Sequence, residues 1–146
     1  MIHVMICDDL AEIREFMAKN INSQRDMEVV CTASCERECV ELAEKYRPDI
    51  VLMDIQMDEY HSGISATEKI IKVLPKTKII ILTIHHDDEL IADAYIAGAV
   101  DYVLKDSPPE VIYDSIRNVY NCKEFLGRTI AEVIYHQMSH QENLEV

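Results

Sequence analysis

Short apolar runs and amphipathic stretches take turns along the chain. Residues 2–7 (Ile-His-Val-Met-Ile-Cys), 28–32, Asp49 to Met53, 78–83 and 100–104 each read as a strand, bounded by polar or turn-forming residues. Runs as apolar as Ile50-Val51-Leu52-Met53 suit strands buried on both faces, the condition of a parallel sheet. Between the runs the apolar spacing changes to that of helices. Residues 10–22 place Leu10, Ile13, Phe16, Met17 and Ile21 on one face. A second helix runs to about Tyr46 and is stopped by Arg47-Pro48, and a third runs from Gly63 to Val73 before Pro75. A fourth spans 87–97 with Gly98 as its C-terminal signal. Ser107-Pro108-Pro109-Glu110 then reads as a cap, early prolines and a first-turn acid, opening a helix to about Tyr120. A further amphipathic stretch over 128–139 carries Ile130, Val133, Ile134 and Met138 on one side.

Five strands alternating with five helices, without hairpin signals, demand crossover connections. The expected fold is α/β, a doubly wound (βα)5 sandwich around a five-stranded parallel sheet, with an extra C-terminal helix. Ligands of such sheets bind outside the carboxyl ends of the strands. At 146 residues the chain reads as one domain over 1–121, followed by a helix or linker over 122–146.

Composition narrows the classes. No stretch approaches a membrane span and the N-terminus lacks a secretory pattern, so a cytoplasmic protein is expected, with no membrane partner. The five cysteines, Cys7, Cys31, Cys35, Cys39 and Cys122, read as reduced residues, mostly in the core. Cys35 and Cys39, like His136 and His140, share helical spacing but do not amount to a zinc site. The formal net charge of −13 repels nucleic acid, so DNA contact would need another domain.

The chemistry is expected at the strand ends. Asp8 and Asp9 follow the first strand, Asp54 the third, Thr83 closes the fourth, and Lys105 comes just after the fifth. Brought together, these groups make an oxygen-rich pocket with one cation beside it. Carboxylates about 4 Å apart repel by about 4 kcal/mol per pair at an effective dielectric near 20. A hard divalent ion such as Mg²⁺ relieves that repulsion. Asp54 could then act as a nucleophile toward a phosphoryl group, with Lys105 and the Thr83 hydroxyl stabilising its oxygens.

In these positions the sequence resembles the receiver domain of two-component response regulators, over residues 2 to about 121. The resemblance implies a flavodoxin/CheY-like fold and a sensor histidine kinase that phosphorylates Asp54. It implies Mg²⁺ held by Asp8, Asp9, Asp54 and the main-chain carbonyl of Gln56. It also implies a switch in which Tyr102 turns inward as Thr83 moves toward the phosphoryl group. Such a domain is a phosphoacceptor that self-catalyses transfer and hydrolysis rather than an enzyme in the ordinary sense. The segments Leu82 to Glu89 and Ala97 to Glu110, with Asp106 after the lysine, look like the NarL/FixJ (LuxR-type) branch. Members of that branch usually carry a C-terminal helix-turn-helix domain that binds DNA, which this chain lacks, and a homodimer on activation is possible. A stand-alone receiver signalling by protein contact is the competing reading. A phosphatase of the haloacid dehalogenase type is disfavoured, because Gln56 stands where a proton-donating acid would be needed.

Two departures from the family pattern stand out. Asp58 follows Met57 where receivers commonly have proline, and Ser62 precedes Gly63 where they commonly have aspartate. Gly63 also lies nine residues past Asp54, a longer loop than usual. Asp58, Glu59 and His61 read chiefly as surface variation. Ile84, bulky beside Thr83, is expected to restrict access, and His85 stands where side chains can influence hydrolysis.

Overall fold

In the computed structural model, residues 1–59, 61–84 and 87–121 are described. The expected helix over 128–139, the segment 122–146 with Cys122, His136 and His140, and His85 lie outside them.

The elements follow the alternation: β1 (Ile2–Cys7), α1 (Ala11–Asn22), β2 (Met27–Ala33), α2 (Glu36–Tyr46), β3 (Ile50–Asp54), α3 (Ser62–Val73), β4 (Lys78–Thr83), α4 (Asp88–Ala97), β5 (Asp101–Leu104) and α5 (Pro109–Asn121). All strand pairs are parallel, in the order β2-β1-β3-β4-β5. The order reverses at β1, so β1 and β3 flank the switch point where such sheets open a crevice.

Strand alternation divides the core into two layers. Met5, Cys7, Val51, Met53, Ile79 and Ile81 face α2, α3 and α4, and meet Cys39, Ala43, Ala66, Ile70, Leu90 and Ala94. Val4, Ile6, Ile50, Leu52, Ile80 and Leu82 face α1 and α5, and meet Met17, Ile21, Ile112, Ile116 and Val119. β1, β3 and β4 are covered on both sides, which explains why their sequences are almost wholly apolar. α5 is tied across to α1 by the Tyr113 hydroxyl donating to the Asn20 carbonyl at 3.1 Å. Arg117 grips Asp26 at 2.9 and 3.0 Å.

Several boundaries and one helix face differ from expectation. β3 ends on Asp54 itself, so the carboxylate belongs to the last residue of the strand. α5 opens at Pro109, two residues after Ser107, where a proline's missing N–H costs no helix bond. The apolar face of α1 is only partly buried: Met17 and Ile21 are in the core, but Leu10 is 51% and Phe16 63% exposed. Leu10 precedes the helix, and Phe16 stands over a shallow groove between α1 and α5 lined by Ile13, Ile112 and Tyr113. Periodicity marked the side of the helix, but the part of that face over the α1–α5 groove is left exposed. Of the cysteines, Cys7 and Cys39 are core residues, whereas Cys31 and Cys35 are partly exposed.

Gly98 ends α4 with φ +124°, a conformation that favours glycine. Gly63 is required for a different reason. Its N–H donates to the Ile55 carbonyl at 2.7 Å, bringing the start of α3 onto the end of β3. A Cβ there would intrude on the Asp54 carbonyl oxygen and lie 2.6 Å from the Ile55 Cα. Both obstacles are backbone and cannot swing aside. Gly63→Ala is therefore expected to destabilise the protein by about 3 kcal/mol or more. Urea unfolding would read this as a lower midpoint at unchanged slope.

Candidate functional site

The carboxyl ends of the strands converge on a cleft of about 290 Å³ whose lining includes Asp9, Asp54, Gln56, Thr83, Ile84, Asp87 and Lys105. The carboxylates of Asp8, Asp9 and Asp54 each offer an oxygen within 4.8 Å of the others. Among the described residues no other group of three His, Cys, Asp or Glu side chains does so. The topology accounts for the meeting: β1 and β3 are hydrogen-bonded neighbours, so the residues after Cys7 and Met53, which pair in register, emerge side by side.

Lys105 occupies the centre. Its Nζ lies 2.7 Å from Asp8 Oδ2 and 3.2 Å from Asp54 Oδ2, with the side chain almost fully buried. The main-chain N–H of Lys105 donates to the Thr83 carbonyl at 2.8 Å, which extends the β4–β5 ladder and fixes where the side chain starts. Asp8 is wholly buried and held at every oxygen. Its Oδ1 accepts the Leu10 N–H at 3.0 Å, and its carbonyl accepts from Arg14 Nη1 at 2.7 Å. Asp9 is exposed on the rim. Thr83 is the buried last residue of β4.

Asp54 is 6% exposed, and burial pushes its carboxyl up to about 6, against 3.8 for an ordinary aspartate. The Lys105 ammonium pulls it down, the Asp8 charge pushes it up again, and hydrogen bonds from Lys105 and the Gln56 N–H favour the anion. Burial, more than the neighbouring acid, is what raises the carboxyl, and one ammonium stands against three carboxylates. A second, divalent cation fits the remaining charge and the all-oxygen donor set. Tyr102 lies on β5, half-buried against Ile91 and Ala92 of α4. Ile84 is 64% exposed and stands at the mouth of the cleft rather than closing it.

The loop between Asp54 and Gly63 is more than surface variation. Met57 turns into the core, its sulfur 3.8 Å from Cys39 Sγ. Asp58 Oδ1 accepts the Glu36 N–H at 3.2 Å, capping α2 where Cys35, at its own N-cap position, makes no side-chain bond. Asp58 therefore ties the loop to a neighbouring helix. The Ser62 hydroxyl accepts the Met57 N–H at 2.8 Å and donates to the Glu59 carbonyl at 2.9 Å. Sequence reasoning singled out neither Arg14 nor Asp87, which caps α4 while lining the cleft. Arg14 had a findable signal: one and a half turns into α1 from the acidic pair, a guanidinium can reach back to it.

The raised carboxyl has a stability consequence. The folded protein takes up the Asp54 proton at a higher pH than the unfolded chain, so without metal the ionised form weakens the fold. At neutral pH metal-free Asp54→Asn is expected to be the more stable, by on the order of 2 kcal/mol. Wild-type stability should gain on the variant as pH falls through about 6 toward 3.8. Thermal unfolding of both proteins across that range, in a chelator, measures the gap.

Comparison with known proteins agrees with this geometry. Residues 4–117 match the response regulator receiver domain family. The chain is 35% identical over 140 residues to the oxygen regulatory protein NreC of Staphylococcus aureus, covering 96% of this chain and 64% of that protein. The chain thus spans a little under two thirds of the curated relatives it matches. A LuxR-family two-component response regulator from Aurantimonas sp. superposes with a TM-score of 0.81 at 28% identity, covering 94% of this chain and 97% of the other. A LuxR-family DNA-binding response regulator from Staphylococcus aureus does so with a TM-score of 0.76 at 26% identity, covering 83% and 100%. A matched family over most of the chain, the five-stranded parallel sheet and the acids at its switch point lead to one conclusion: this chain belongs to the response regulator receiver domain family.

Proposed function

We propose that Asp54 accepts a phosphoryl group from a sensor histidine kinase and that the modified domain then switches an output. The observation that carries this reading is the buried Lys105 ammonium bridging Asp8 and Asp54 at the mouths of neighbouring strands. Asp8, Asp9, Asp54 and the Gln56 carbonyl would hold Mg²⁺, which supplies positive charge to the incoming phosphoryl oxygens when bound. Asp54 attacks phosphorus through a carboxylate oxygen, and the bond from phosphorus to the donor breaks as the new one forms. Lys105 is already within ion-pair reach of Asp54 and offsets the charge that transfer brings. Thr83, at the end of the adjoining strand, offers a hydroxyl to the same oxygens, and Tyr102 follows its movement as the switch aromatic. Self-catalysed transfer and hydrolysis use these same groups.

In the full-length protein we place the receiver at 1–121 and the connection to a helix-turn-helix DNA-binding domain at 122–146. The acidic receiver itself is unsuited to DNA. Activation would involve a homodimer. Among the described residues no helix is long and apolar enough to cross a membrane, which fits the cytoplasmic setting proposed for this chain.

Intact-mass analysis with Mg²⁺ and acetyl phosphate tests the core of this reading. Wild type is expected to gain one phosphoryl group. Asp54→Asn and a metal-free sample should gain none, and Lys105→Ala should react on the order of a hundredfold more slowly. With Mg²⁺ bound, Asp54 should stay ionised below the pH near 6 at which the metal-free site takes up its proton, so transfer slows only at a lower pH than that. Modification that persists in Asp54→Asn would assign the acceptor elsewhere, and none in wild type would end the proposal.

A further inference from the structure

The proposed cation site includes one main-chain ligand, and a carbonyl is only as well placed as its peptide plane. The Gln56–Met57 peptide is trans, so its C=O and N–H point in opposite directions. The N–H end is fixed in the interior, where Met57 donates to Ser62 Oγ at 2.8 Å in a buried bond. Ser62 cannot easily yield. It is 4% exposed, it opens α3, and its hydroxyl proton is engaged by the Glu59 carbonyl at 2.9 Å. Next to it, Gly63 is docked on the end of β3. The preceding peptide is pinned as well, by the Gln56 N–H donating to Asp54 Oδ1 at 3.3 Å. With its amide end turned toward Ser62, the Gln56–Met57 peptide presents its carbonyl to the opposite side. Gln56 lines the cleft that holds Asp9 and Asp54.

We infer that Ser62 is a positioning residue of the divalent-cation site, orienting the Gln56 carbonyl through the Met57 amide. This rests on the reading that the acidic cluster takes a divalent cation. The residue type suits the task. A hydroxyl can accept from Met57 and donate to Glu59 at once, and it carries no charge. Aspartate here could also accept the amide but, ionised, has no proton to give the Glu59 carbonyl. Residues behind a metal ligand commonly set affinity by their hydrogen bonds.

The test is Mg²⁺ binding measured by calorimetry without any phosphodonor, beside amide exchange at Met57. Wild type should bind Mg²⁺ and show a protected Met57 amide. Ser62→Ala should bind about tenfold more weakly and lose that protection, whereas Ser62→Thr, which keeps the hydroxyl, should stay close to wild type. A helix-start role alone would lower the unfolding temperature of Ser62→Ala and leave its Mg²⁺ affinity intact while folded, and that result overturns the inference. An exposed, rapidly exchanging Met57 amide in wild type overturns it too, whether or not Ser62→Ala folds. A wild type that binds no Mg²⁺ overturns the cation reading first and this inference with it.

Discussion

The burial of Asp8 and Asp54 around the Lys105 ammonium is the constraint on which the site depends. A parallel sheet with its order reversing at β1 makes the ends of β1 and β3 neighbours, and the chain places acids at both. The fold accepts this because Lys105 reaches between Asp8 and Asp54 from the far side of β4. Burial outweighs the pull of the ammonium, and Asp54 is left with a carboxyl raised to about 6. A site short of positive charge, dry around Asp8 and open at Asp9, is prepared for a cation and for an anionic group that brings one.

Around that centre, each group is held by main-chain and side-chain partners from neighbouring elements. Lys105 is placed by its N–H on the Thr83 carbonyl, and Asp8 by Leu10 and Arg14. The loop after Asp54 is held at three points: Met57 in the core, Asp58 on α2 and Gly63 on the end of β3. Its added length and changed residues do not loosen it. They replace the stiffness of a proline with a cap on the neighbouring helix and a buried serine bridge.

The sequence was informative wherever the signal was local or repeated. Apolar runs such as Ile50 to Met53 and Ile79 to Leu82 could only be doubly covered strands, and their alternation with helices left one sheet class available. The strand-end acids, Thr83 and Lys105 were legible because their order along the chain follows the order of the strands. The exposure of Phe16 was not legible, since helical periodicity gives a direction but not the width of the surface that covers it. Nor was the cap that Asp58 provides to α2, or the reach of Arg14 to the Asp8 carbonyl, because those partners are brought together only by packing.

By itself, then, the amino-acid sequence determined the elements, the parallel class of the sheet and which polar groups stand at the strand ends, all of which follow from spacing and residue chemistry. Tertiary structure alone decided the separations and the burial. It set Lys105 at 2.7 and 3.2 Å from two carboxylates, raised the Asp54 carboxyl, and turned Ser62 from an apparent substitution into a buried bridge. The physical reason is that charge interaction and desolvation depend on distance and on exclusion of water. Both are properties of strands and helices brought together from distant parts of the chain.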